Sequence, residues 1–188
     1  YTLTTAANPV AGGTVTPATG SVNHGTVVTV TQAPNAGYTF TGWSGDCTGT
    51  GTCSVTMDGA KSVTANYTQN NYSVTTNVTG NGTVTGAGTT YHWGDSVSVT
   101  ATPAVGWTLS TVSGDCSSVP CTLTINGDKT VTVVFTQLSY ALTTAASPAA
   151  GGTVTPASGS VLSGTVVTVT QTPNAGYTFT GWSGDCTG

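Results

Sequence analysis

Thr26-Val27-Val28-Thr29-Val30-Thr31 is the run from which the fold can be read. Its β-branched side chains are stiff at χ1 and suit an extended chain, where successive residues face opposite sides. The run returns as Asp95-Ser96-Val97-Ser98-Val99-Thr100 and as Thr165-Val166-Val167-Thr168-Val169-Thr170. Position 27 becomes Ser96, whereas positions 28 and 30 keep their valines as Val97 and Val99. The alternation therefore predicts a strand with Val28 and Val30 inward and residue 27 outward.

Around this run, segments of the same character predict strands over 2–5, 13–16, 26–32, 38–43, 53–57 and 61–67, bounded by Gly, Pro and Asn. Asp58-Gly59 predicts a hairpin joining the last two, and Asn126-Gly127 repeats the device. No segment carries a helical stripe. The fold class is all-β: tandem small β-sandwich or sheet domains of about six short antiparallel strands.

The tandem organisation follows from self-similarity. Tyr1–Gly49 and Tyr140–Gly188 are identical at 42 of 49 positions without a gap. A diverged copy starts at Tyr72, with Asn81-Gly-Thr-Val-Thr85 and Ser113-Gly-Asp-Cys116 as its landmarks. The expected domains are repeat A over 1–70, repeat B over 71–138, and a second copy of A over 139–188 that stops before its last hairpin. From one starting Tyr to the next, A and B are 71 and 68 residues long, so an A–B cassette of 139 residues is duplicated. The chain reads as a window onto a longer repetitive protein.

Five cysteines fit this scheme. Cys47 and Cys53 enclose one short Gly/Thr loop, and Cys116 and Cys121 enclose its counterpart. Each pair reads as a local disulfide, which places the chain in an oxidising, extracellular or cell-surface compartment. The alternative is two pairs of reduced, buried thiols. Cys186 matches Cys47, so its partner is expected outside the chain, near position 192. A metal site needs four ligands, and each unit offers two cysteines with no His nearby. No cofactor is expected. A domain of about 70 residues buries little area, and a short disulfide loop contributes about 2 kcal/mol. Trp43 and Trp182 stand four residues before Cys47 and Cys186. They read as core residues beside the bridge; the competing reading, a sugar-stacking platform, is weakened by Val112 at the matching place in repeat B.

Composition narrows the function classes. Two Lys and six Asp are the only charged residues among 188, net charge −4, whereas 44 residues are Thr. Without a basic patch there is no electrostatic grip on nucleic acid. No signal peptide and no apolar run long enough to span a membrane is present, so an export signal or anchor is expected outside this segment. Sequons begin at Asn66, Asn71, Asn77 and Asn81, as a chain so rich in Asn and Thr generates by chance.

The motif pattern GGTVTP (12–17), followed by Gly25–Tyr67 with GYTFTGWSGDC at 37–47, resembles the divergent relatives of the internalin B-repeat. The resemblance covers every unit and is most specific over Pro34–Tyr67. It implies a spacer, stalk or adhesive module of secreted and surface-anchored bacterial proteins, with no catalytic residue to carry over. Better-known members of the wider group resemble a β-grasp with a short helix; this sequence has no helical segment, and that fold is not expected here.

A nucleophile needs a base within reach, and the only histidines, His24 and His92, have no counterpart in the second A copy, where Leu162-Ser163 stands. Paired carboxylates could come only from Asp46 with Asp58 or Asp115 with Asp128. Asp46 and Asp115 follow glycine and are expected to hydrogen-bond the local backbone of a turn. Lys61 and Lys129 read as solvated hairpin-end residues, with an isopeptide cross-link as the sharper alternative. An enzyme is not expected.

One place varies between copies. Before Gly25, Gly94 and Gly164 stand Val22-Asn23-His24, Tyr91-His92-Trp93 and Val161-Leu162-Ser163. Tyr91, His92 and Trp93 form a possible contact site for a glycan or host surface, or a local patch over repeat B's own core. The nearly chargeless, Thr-rich surface leaves edge strands with little protection against pairing. Short linkers without Gly or Pro, Thr68–Asn71 and Thr136–Ser139, favour stiffness. The expected role is a structural segment forming a stalk, fibre or filament with neighbouring repeats or copies of itself; the alternative is an adhesin or carbohydrate-binding module using the aromatics of repeat B.

Overall fold

The computed structural model describes residues 1–187. They divide into two compact units: Tyr1–Asn77 with Thr85–Thr100 and Ser113–Thr132, and Val78–Val84 with Ala101–Val112 and Val133–Gly188. The first unit holds the whole of repeat A.

Repeat A has seven strands: β1 (Thr2–Asn8), β2 (Gly13–Thr16), β3 (Gly20–Ser21), β4 (Val27–Pro34), β5 (Tyr38–Gly45), β6 (Cys53–Thr56) and β7 (Lys61–Gln69). A single 3-10 turn, Val10–Gly12, joins β1 to β2. The strands form two sheets, ordered β3-β1-β7-β5 and β2-β4-β6. Leu3, Val63, Ala65 and Tyr67 of the first sheet meet Val30, Cys53 and Val55 of the second in one buried core. Val30 is buried, Val28 half-buried and Val27 exposed, the facing predicted from the valine alternation.

Two features depart from the expected topology. The hairpin at Asp58-Gly59 does not form: β6 pairs with β4, Val27↔Thr56 through Val30↔Cys53, while β7 pairs with β1 and β5. The segment 57–60 instead crosses from one sheet to the other. Met57 explains this, because its side chain is wholly buried and its amide and carbonyl bond Thr26 O and Gly25 N, each at 2.9 Å. An apolar residue just ahead of the Asp-Gly pair anchors the connection in the core, where a two-residue hairpin would leave it in water. Ile125 does the same ahead of Asn126-Gly127: it is wholly buried, its carbonyl accepts from Gly94 N, and its amide donates to Asp95 O. As a consequence β7 enters its sheet alongside β1 in the same direction, and the β1–β7 pair is parallel, Leu3↔Lys61 through Asn8↔Asn66. The other pairings in repeat A are antiparallel.

Repeat B repeats the elements as β8 (Tyr72–Thr79), β9 (Gly82–Thr85), β10 (Gly88–Tyr91), β11 (Ser96–Pro103), β12 (Trp107–Gly114), β13 (Cys121–Thr124) and β14 (Lys129–Gln137). Its sheet orders, β10-β8-β14-β12 and β13-β11-β9, copy those of repeat A. Val97, Val99, Leu123, Ile125, Val131, Val133 and Phe135 are buried.

The last copy carries four strands: β15 (Ser139–Leu142), β16 (Gly152–Thr155), β17 (Gly159–Leu162) and β18 (Thr170–Pro173), paired as β15–β17 and β16–β18.

Candidate functional site

Both disulfides form as the spacing predicts. Cys47–Cys53 and Cys116–Cys121 bridge Cα atoms 5.7 and 6.2 Å apart, within the range that the bond geometry allows. Cys186 is free and exposed. Trp43 is 7% exposed and packs in the core cluster with both Cys47 and Cys53. Its Nε1 donates to Gly51 O at 3.0 Å and its amide to Gly49 O at 2.7 Å, so the indole pins the disulfide loop against β5. Phe40 meets it edge-on at 5.1 Å. A residue this buried, and tied to the loop through both its N–H groups, has no face left for a sugar.

The carboxylates are structural latches rather than an acid–base pair. Asp46 Oδ2 accepts from Ser62 N, 2.6 Å, and Asp46 N donates to Ser62 O, 2.7 Å. Asp115 does the same with Thr130, at 2.7 and 2.9 Å. These bonds reach across to the start of β7 or β14, not to the local turn backbone that the Gly-Asp pattern suggests. The residue that begins each strand is lysine, and it completes the latch: Lys61 Nζ lies 3.9 Å from Asp46 Oδ1 and 2.9 Å from Asp58 Oδ1, and Lys129 Nζ lies 3.5 Å from Asp115 Oδ1. The hydrogen bond to Lys61, then its charge, holds Asp58 below the usual carboxylate range, and the same bond raises Lys61. Asp128 is lowered by a different device: its Oδ1 accepts from Ser73 N at 2.7 Å and Ser73 Oγ at 3.0 Å, tying β8 to the turn before β14. Among the described residues no group of three or more His, Cys, Asp or Glu is placed to hold a metal ion.

Tyr91, His92 and Trp93 do not form one platform. Tyr91 ends β10 opposite Tyr72, and its hydroxyl donates to Gly86 O at 3.2 Å. His92 turns to Asp95, whose Oδ2 accepts from His92 N at 2.7 Å and lies 3.9 Å from Nδ1. Trp93 is 45% exposed, tilts against Tyr72 at 6.4 Å, and packs its Cβ onto Gly37 of repeat A. The sequence singles out Trp93 but not its neighbours Gly37 and Tyr72. The cue for Gly37 is the Asn35-Ala36-Gly37 turn itself, which reads only as a strand boundary.

A groove of about 450 Å³ opens in the last copy, lined by Pro148, Val154, Tyr177, Phe179 and Trp182 among others. Their counterparts in repeat A include Phe40, which packs on Tyr67 of β7 at 5.8 Å. The groove thus corresponds to positions that pack in or against the core of repeat A, such as Val15, Tyr38, Phe40 and Trp43.

A family model described as the divergent InlB B-repeat domain matches residues 3–71, 72–139 and 142–188. The chain belongs to this family. Neither a curated protein nor a solved structure matches it. The InlB B-repeat family is a repeat-domain family of bacterial surface proteins rather than a family of known enzymes, and it points to a structural repeat role. Membership and the two disulfides fit an extracellular or surface protein. No helix among the described residues is long and apolar enough to cross a membrane.

Proposed function

We propose that these InlB B-repeats are a non-catalytic structural segment of a secreted or cell-surface protein, in which successive repeats are held in register as a stalk, fibre or extracellular filament. The observation that carries this reading is the state of the linkers. Asn70 N donates to Gly37 O and Leu138 N to Gly106 O, each at 2.8 Å. Both linkers are thereby bonded back to the same turn of the repeat they leave, and neither is free to act as a flexible coil. Electron micrographs of the chain should show elongated particles of narrow angular spread; freely jointed beads would overturn the reading.

The second reading, adhesion to a glycan or host surface through repeat B, draws on the exposed part of Trp93. It expects a glycan array to bind the chain, and binding to disappear in Tyr91→Ala with Trp93→Ala. A blank array retires it.

A further inference from the structure

The two junctions between repeats share a design that the linkers only begin. Gly37 closes the β4–β5 turn and Gly106 the β11–β12 turn, both at φ 80°, a left-handed conformation that favours glycine. Each turn carbonyl is the one that holds the linker amide. The open side of each glycine is filled by the residue that stands just before the loop glycine of the following repeat. At the first junction a Cβ on Gly37 would overlap Trp93 Cβ. At the second, a Cβ on Gly106 would stand 2.5 Å from Ser163 Oγ and 3.0 Å from its Cβ. Gly176 has the same turn sequence as Gly37 and the same backbone, φ 83°; no following repeat stands among the described residues, and nothing lies within 4 Å. Gly37 is buried, Gly106 half-buried and Gly176 exposed, in step with what covers each.

We propose that positions 24, 93 and 163 are the joint residues of the array: each is the knob that seats on the turn glycine of the preceding repeat and sets how one repeat docks on the next. The partner of this surface is the neighbouring repeat. That accounts for the variability of an otherwise repetitive sequence at this place, since each joint is matched separately. The A-to-B joint is apolar, with Trp93 backed by Tyr72. The B-to-A joint is polar: Ser163 N donates to Leu138 O and Gln137 Nε2 to Ser163 O, both at 2.8 Å. His24 takes the place in repeat A, edge-on to Tyr1 at 5.7 Å as Trp93 leans on Tyr72. The proposal rests on the structural-repeat reading for its purpose, but not for its test.

Amide hydrogen exchange on the whole chain reads the joint directly. Trp93→Gly, which removes the Cβ that meets Gly37, should speed exchange at Asn70 about tenfold or more, and leave Leu138, Val63 and Val99 unchanged. Unchanged protection at Asn70 would overturn the proposal. So would loss of protection at Val97 and Val99 together with Asn70, because Trp93 would then support its own repeat. Gly37→Ala adds backbone strain of its own, so the double variant with Trp93→Gly decides the contact: an effect at Asn70 smaller than the sum of the two singles is expected, and strict additivity overturns it. A formed joint in a freely bending particle would remove the stalk reading alone.

Discussion

Repeat A and the last copy are nearly the same sequence in two different structural states. In repeat A the segment Tyr38–Gly45 is an eight-residue strand; its counterpart at 177–184 forms no strand. β1 runs for seven residues, whereas β15 ends after four, at Leu142. Leu3 is wholly buried and Leu142 half-buried. At 177–184 the seven differing residues do not explain this, because none lies in 173–188. What repeat A has in addition is β7, which lies between β1 and β5 and bonds both. The positions that match β7 fall after 188, so among the described residues Ser139–Leu142 pairs with β17 alone and 177–184 forms no ladder.

Equally informative is what survives. Tyr38 N donates to Asn35 O at 3.0 Å, and Tyr177 N to Asn174 O at 3.0 Å. Gly12 N–Pro9 O and Gly151 N–Pro148 O are both 2.8 Å. Phe179 and Trp182 keep the edge-on contact of Phe40 and Trp43, 5.1 Å in each case. Turns and the aromatic pair three residues apart are local and persist, as do the β15–β17 and β16–β18 pairs. The ladder that β7 makes with β1 and β5, which joins segments up to some 60 residues apart, has no counterpart among the described residues.

The largest expected effect comes from giving residues 1–188 the segments that match β6 and β7. Extending the chain after Gly188 with the sequence of residues 50–69 should convert 177–184 to strand, bury Trp182 as Trp43 is buried, and pair Cys186. Thiol titration falling from one free group to none, with a blue shift of Trp182 emission, would establish it. If the thiol stays free and the emission unshifted, the difference between the copies has another cause.

The next contrast is between the two indoles. Trp43→Ala removes a core side chain and should destabilise repeat A by about 3–5 kcal/mol, while Trp182→Ala should change the unfolding of the whole chain little. Paired denaturation curves measure both, and equal costs would show that the last copy is already packed. Below that in size stands the bridge. Replacing Cys47 and Cys53 together by Ala should cost repeat A about 2 kcal/mol or somewhat more, and Cys186→Ala nothing measurable, by the same curves.

The smallest effect is acid dependence. Asp58 and Asp128 are held below their ordinary value of 3.8. A carboxyl lowered in the folded state contributes stability that is present above its unfolded value and lost as pH falls through the folded one. Stability should therefore hold from neutral pH to about 4 and decline below it. Asp58→Asn should remove part of that decline, mildly, since the Lys61 pair is exposed to solvent; an unaltered acid profile would remove Asp58 from the account.

The strand facing at Val27, Val28 and Val30 was legible in the sequence because alternation is a property of the chain alone. So were the disulfides, where short spacing keeps both cysteines at one end of a domain, and the core place of Trp43, where repeat B's Val112 argues against a binding role. The crossover at Met57 was less so: Asp-Gly invites a hairpin, and only the buried apolar residue before it says otherwise. The Asp46 and Asp115 latches were misplaced for a related reason. A Gly-Asp pair suggests a bond to its own turn, but the carboxylates accept instead from Ser62 N and Thr130 N, 16 and 15 residues on.

From residues alone came the repeats, the all-β class, the strand faces and the stapled loops, all governed by interactions a few positions apart or by comparison of one copy with another. The parallel β1–β7 pair, the interior that β7 closes in repeat A, and the seat of Trp93 on Gly37 came from the assembled molecule. Each requires two segments distant in sequence to meet, and no local preference encodes which of several compatible strands or turns will be the one that arrives.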